Sequence, residues 1–199
     1  MSGFTHDPHS EVGHECPKNH FSITDYSELQ RFEAPLVAKR GGELIDHPVN
    51  GGFDAKHLMA THKYLFQDVF PWAGEFRVVD MSKGASNFAR AIYMASALNE
   101  LLSKLHWEGQ LTGREQSAFA ARAAYYLGEI NAIHPFREGN GRTQREFIRQ
   151  LAVQAGHPLS WAGFTQEEMV SASILSHLRG DHSALAAIIE RALYSSRNS

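Results

Sequence analysis

From Thr24 onward the apolar side chains recur every three or four residues, with Tyr26, Leu29, Phe32, Leu36 and Val37 on one helical face. Thr24 is a candidate cap and Gly41-Gly42 the stop. Pro35, with no N–H to donate, predicts a kink or a split between them. After the turn at Asn50-Gly51-Gly52, Asp54 can cap a second helix whose stripe is Leu58, Met59, Leu65, Phe66 and Val69. His62 falls on that stripe, where a histidine is usually a hydrogen-bonded core residue.

The period then changes. Phe76 to Phe88, with Arg77 to Met81 and then Ser82 to Asn87, reads as a short strand, a turn and a second short strand, the one β-hairpin expected in the chain. Helical spacing returns from Ala91 to Leu105, and Gly113 precedes a longer helix with Phe119, Ala123, Leu127 and Ile130 inside. The residue before a proline avoids the α region, so that helix should break at His134-Pro135 and expose His134. After Arg137 to Asn140 the chain restarts at Gly141 with Phe147, Ile148, Leu151, Ala152 and Ala155 on one side, and stops at Gly156-His157-Pro158. Two shorter helices, about 165–178 and 181–194, complete a mainly α fold.

Composition narrows the class. Of 199 residues, 43% are apolar and 21% charged, which suits one globular domain with its own core. We expect a flexible arm over residues 1–22, poor in large apolar side chains, and a single domain over 23–199. The arm's His6, His9, His14, Cys16 and His20 match no compact zinc spacing. A lone cysteine gives no internal disulfide, no stretch nears the roughly 18 apolar residues of a membrane span, and nothing resembles a signal peptide. These features suggest a bacterial cytoplasmic protein, with secretion into a host left open. A net charge of −3 argues against nucleic-acid or membrane partners. Any anion site must be local.

The dense chemistry lies in HPFREGNGRTQR, residues 134–145. Gly139 and Gly141, flanking Asn140, allow a tight turn that brings amide N–H groups near a ligand, and the following helix offers its unpaired N-terminal donors. Arg142, Arg145 and Arg149 fall within about 60° of one another at about 100° per residue, and extend this anion nest. Nest plus arginines suits a di- or triphosphate. Glu138 would repel such a ligand unless a divalent cation lay between, so it reads as a magnesium ligand. His134, at the mouth of the loop, is the candidate general base.

The stretch is similar at every specified position to the Fic family signature HPFx(D/E)GNGRxxR, and Trp72-Ala73-Gly74, Arg77, Lys83-Gly84 and Phe88-Ala89 resemble the segment forming that family's flap. The resemblance, covering about residues 24–194, implies a helical fold around the loop with a β-hairpin flap that aligns a target segment by strand addition. It implies an adenylyltransferase moving AMP from Mg-ATP to a Tyr, Thr or Ser hydroxyl, with His134 as base and Glu138 holding Mg²⁺. Gly139, Asn140 and Gly141 would hold the α- and β-phosphates, Arg142 the phosphate chain, and Arg145 the γ-phosphate region. Arg137, Thr143, Lys83 and Gly84 are further candidates for nucleotide contact, and Phe136 for a core anchor.

Self-inhibited family members carry (S/T)xxxE(G/N). The nearest runs here, Thr24 to Glu28 and Ser96 to Glu100, are each followed by leucine. The resemblance therefore points to a toxin-like enzyme inhibited by a separate small antitoxin, with a type II topoisomerase subunit or a small GTPase as target. Rival readings are a related transferase moving phosphate or phosphocholine, a nucleic-acid-contacting arginine face, and a binding protein without turnover.

Overall fold

The computed structural model describes residues 7–10, 16–84 and 86–193. Its element order is α1 (Tyr26–Asp46), α2 (Ala55–Phe66), β1 (Ser82–Lys83), β2 (Ser86–Asn87), α3 (Ala91–Trp107), a 3-10 turn, α4 (Gln116–Ile133), α5 (Asn140–Gln154), α6 (Gln166–Arg179) and α7 (Ser183–Ala192). The fold is mainly helical with one small hairpin, as the periodicities predict. No helix among the described residues is long and apolar enough to cross a membrane.

The four-four-three spacing of α4 makes it the axis of the molecule. Phe119, Ala123, Leu127 and Ile130 are all buried, and α3, α5, α6 and α7 pack around them. A second apolar cluster joins α1 to α2 through Leu29, Val37, Leu44, Leu65, Phe66, Val69 and Trp72. The signature loop lies where these two clusters meet, between the end of α4 and the start of α5.

Two of the expected capping residues open their helices, whereas Asp181 does not cap α7, which starts at Ser183 after His182. Asp54 accepts the His57 N–H at the start of α2, and Thr165 accepts the Glu168 N–H at the start of α6. α1 departs from expectation. Its cap is Asp25, not Thr24, and the helix runs through Pro35 and past Gly41-Gly42 to Asp46. Tertiary bonds override the glycine pair: Arg40 forks onto Asp68 at 2.7 and 2.9 Å, and the Tyr64 hydroxyl reaches Glu43 on the other side of the glycines.

The hairpin is also displaced. Residues 77–81 form no strand, and the ladder is confined to Ser82 opposite Asn87 and Lys83 opposite Ser86, in the second half of the expected hairpin segment. Arg77 explains the shift, because its backbone N–H is bonded to the Pro135 carbonyl and not to a partner strand. The described part of the N-terminal segment lies packed on the body, where an untethered arm was expected. His9 and Cys16 are buried, His9 stacks on Trp72, and Trp72 Nε1 donates to the Lys18 carbonyl. His6 and His14 fall outside the described residues, among which no cluster of His, Cys, Asp and Glu could hold a metal alone.

Candidate active site

α4 ends at Ile133, and His134 turns the chain with φ +52°, while its N–H still closes on the Ile130 carbonyl. The loop then doubles back on Asn140. Its Oδ1 accepts the Phe136 N–H at 2.9 Å and its Nδ2 donates to the Phe136 carbonyl at 2.7 Å. Asn140 is therefore a buried clamp on the loop, its side chain closing a pair of hydrogen bonds with the Phe136 backbone. Phe136, fully buried and stacked on His62, anchors the loop as expected.

Gly139 caps α5 with φ +79°, and no side chain caps that helix. The first-turn amides of Asn140, Gly141 and Arg142 thus have no carbonyl above them within the helix, and α5 presents an open, electropositive end. Beside Gly141, on which a Cβ would stand 3.3 Å from an Arg145 nitrogen, nothing bulky separates these amides from that guanidinium. Arg145 has no acid or hydrogen-bond acceptor on its guanidinium among the described residues, and burial next to Arg142 pushes its pKa down. A half-buried arginine with no partner among the described residues, beside an open helix N-terminus, is a site built for an anion.

Arg142 sits over the Phe66 ring at 4.8 Å and pairs with Glu33 of α1, while Glu138 stands 3.8 Å away. Glu33 meets it as an ion pair without well-formed hydrogen-bond geometry at Oε1. Burial pushes the Glu33 carboxyl up, Arg142 pulls it back, and the charge of Glu138 adds to the rise. Glu138 accepts the Gly139 N–H on one oxygen at 2.8 Å and the Tyr26 hydroxyl on the other at 2.6 Å. Burial and the Glu138 charge hold the Tyr26 phenol above its usual range, so it stays a donor.

His134 is not exposed as the proline break suggests. The Phe88 ring lies flat on it at 3.8 Å, and His177 of α6 meets the same phenyl ring edge-on. Burial pushes the imidazole down to about 4, with Arg77 and Lys83 adding to the depression and Glu138 opposing it. The Asn131 backbone also pulls upward, although no hydrogen bond of ordinary geometry reaches the buried Nδ1. The imidazole is neutral near pH 7, as a proton acceptor must be.

Two residues outside the signature hold this arrangement. Arg77, 1% exposed, donates to the carbonyls of His134, Ile133, Val79 and Ala89. His62 has Nδ1 accepting the Gly74 N–H at 2.8 Å and Nε2 donating to the Glu138 carbonyl at 3.0 Å, which fixes one neutral tautomer and pins the loop from α2.

Other candidates lie elsewhere. Arg137 turns to the N-terminal segment, bonding Asp7 at 2.6 Å and Ser10 at 3.3 Å. The Thr143 hydroxyl is buried and donates to the Gly139 carbonyl, away from any ligand. Arg149, expected to extend the nest, forks onto Glu146 and reaches the Leu44 carbonyl, so the three-arginine face does not form. Lys83 and Gly84 form the exposed tip of the hairpin. Tyr26 and Glu33 were legible only as helix-face neighbours seven residues apart; a phenol and a carboxylate on an apolar stripe were the available signal.

The family model described as Fic/DOC family matches residues 52–152. Protein adenylyltransferase VbhT of Bartonella schoenbuchensis is 40% identical over 95% of this chain, which spans 39% of that longer protein. A Salmonella typhimurium relative named "Probable protein adenylyltransferase Fic" is 37% identical over 96% of this chain and 94% of its own. Among solved structures, the BepC effector of Bartonella tribocorum with bound AMPPNP superposes with a TM-score of 0.88 at 26% identity, covering 94% of this chain and 96% of that one. A Fic domain of a Bartonella quintana effector with bound ADP gives 0.86 at 28% identity, covering 92% of each.

Proposed function

The chain belongs to the Fic/DOC family and is a protein adenylyltransferase by its likeness to relatives it matches over nearly their whole length, and we propose that residues 134–145 carry the transfer. In this reading AMP moves from ATP to a hydroxyl side chain of a protein, and pyrophosphate leaves. The observation that supports it best is the open α5 N-terminus beside the unpartnered Arg145, with a neutral histidine across the same short loop.

The amides of Asn140, Gly141 and Arg142 take phosphate oxygens, and Arg142 and Arg145 offset the charge of the phosphate chain. A target oxygen attacks the α-phosphorus while its proton passes to His134. Nδ1 is buried, so Nε2 is the nitrogen a hydroxyl can reach. As the new P–O bond forms, the bond to the β-phosphate oxygen breaks, and arginines and helix end receive the pyrophosphate charge. Phe88 holds the His134 ring in one plane throughout.

The donor set fits magnesium. Glu138 offers one carboxylate whose oxygens each accept a single hydrogen bond here, and Mg²⁺ is usually held by one or two carboxylates plus substrate phosphates. When bound, it would neutralise phosphate charge and polarise the bond that breaks. The exposed hairpin would pair with an extended target segment, for which a type II topoisomerase subunit is our first candidate. Inhibition would come from a separate small protein giving Arg145 an acid. Glu28 lies in the exposed first turn of α1 and Glu100 pairs with Lys104 on α3, so neither is placed to do so.

The test is transfer of α-phosphate-labelled AMP onto bacterial lysate proteins and purified topoisomerase subunits, comparing the wild type with His134→Ala at equal Mg²⁺. A labelled band that disappears in His134→Ala is expected. ATP binding without any labelled protein, in bacterial or eukaryotic lysates, would overturn the reading.

A further inference from the structure

We propose that Tyr26 and Glu33 of α1 are positioning residues of the transfer site, Tyr26 orienting the Glu138 carboxylate toward the metal–nucleotide complex and Glu33 holding the Arg142 guanidinium where the phosphate chain docks. This rests on the reading of the loop just given and extends it to a helix outside the matched residues 52–152.

Two contacts carry the inference. The Tyr26 hydroxyl donates to Glu138 Oε2 at 2.6 Å, across 112 residues of chain. The Gly139 N–H holds the other oxygen at 2.8 Å, so the carboxylate is held at both oxygens. Two turns further along α1, Glu33 is 2% exposed and pairs with Arg142. The Glu33 carboxylate is buried while Arg142 keeps 34% of its side chain open, and such a pair adds little stability over apolar side chains of the same volume, which favours a role beyond stability. Arg142 is held between this carboxylate and the face of Phe66. A guanidinium has five N–H donors, and one edge tied to Glu33 leaves the others for phosphate.

The alternative is that Glu33 competes with phosphate and acts as a brake. The two readings predict opposite changes on removing its charge.

The experiment is calorimetric binding of a non-hydrolysable ATP analogue with and without Mg²⁺, by the wild type, Tyr26→Phe, Glu33→Gln, Arg142→Met and the Glu33→Gln/Arg142→Met double variant. Tyr26→Phe should weaken Mg²⁺-dependent binding about fivefold, leave metal-free binding unchanged, and recover at saturating Mg²⁺, which a merely structural loss would not do. Glu33→Gln should weaken binding about tenfold with or without metal, and add nothing once Arg142 is Met. Tighter binding by Glu33→Gln, or a loss that simply adds to that of Arg142→Met, would overturn the role of Glu33. Unchanged Mg²⁺ dependence in Tyr26→Phe would overturn that of Tyr26. If these dependences hold but no protein receives AMP, the transfer reading fails while the positioning roles stand. A wild-type chain that binds no Mg-nucleotide would overturn both.

Discussion

At Gly139 a single hydrogen decides whether the loop can close. A Cβ there would stand 2.3 Å from the Phe66 ring, and φ is +79°. Gly84 at the hairpin tip shares the left-handed backbone, at +58°, but meets nothing within 4 Å. The two glycines separate backbone strain from steric exclusion. Gly84→Ala should cost about 1 kcal/mol, whereas Gly139→Ala should add an overpacking cost of about 1–3 kcal/mol and abolish AMP transfer. Urea denaturation of both variants measures the difference, and equal costs would mean that Phe66 yields freely. The signature residues themselves were legible in the sequence because each type is tied to a chemistry. Side-chain direction was not. Asn140 and Thr143 carry polar groups that suit a phosphate, yet both turn them to the loop's own backbone, and Arg137 donates from Nε to Asp7 and from an amino group to Ser10.

Elements were legible where a local rule was unopposed and missed where a long-range contact outweighed it. Asp54 and Thr165 cap their helices as their chemistry suggests. Gly41-Gly42 fails to stop α1 because Arg40–Asp68 and Glu43–Tyr64 brace the helix on either side, and such pairs have no signature in sequence. His62 shows what a between-element contact implies in solution. Its ring joins α2 to the signature loop and to Gly74 in one neutral tautomer, and burial pushes its pKa down to about 3. An unfolded histidine titrates near 6.5. Above that pH both states are neutral and stability is flat. Below it the unfolded chain binds a proton that the folded chain refuses, so stability falls steadily as pH drops from about 6.5 toward 3, by up to a few kcal/mol. His57 and His134 are shifted the same way and contribute with the same sign. Thermal melts between pH 7 and 4 should therefore show a shallower acid decline in His62→Gln than in the wild type. An unchanged slope would place the acid sensitivity in the other histidines.

Across the whole molecule, the hairpin stem and the signature loop are joined through one buried cation. Arg77 donates to Val79 and Ala89 on the hairpin side and to Ile133 and His134 on the loop side, and its backbone N–H reaches Pro135. No carboxylate forms an ion pair with it among the described residues; carbonyl dipoles satisfy its hydrogen bonds, with Asp80 near enough to favour the charge. The guanidinium fork reaches four acceptors at once, which an ammonium of similar length cannot do. Arg77→Met should leave those carbonyls unsatisfied and cost on the order of 3 kcal/mol, and it should let the His134 pKa rise by removing a nearby positive charge. Arg77→Lys isolates geometry from charge. It keeps the cation, so the His134 pKa followed by imidazole NMR should stay low. It loses the fork, so hydrogen exchange should quicken in residues 77–90 and 133–136, and the AMP transfer rate should fall at least tenfold with nucleotide affinity little changed. Wild-type transfer by Arg77→Lys would show that charge near His134, and not the tie between hairpin and loop, is what the buried arginine contributes.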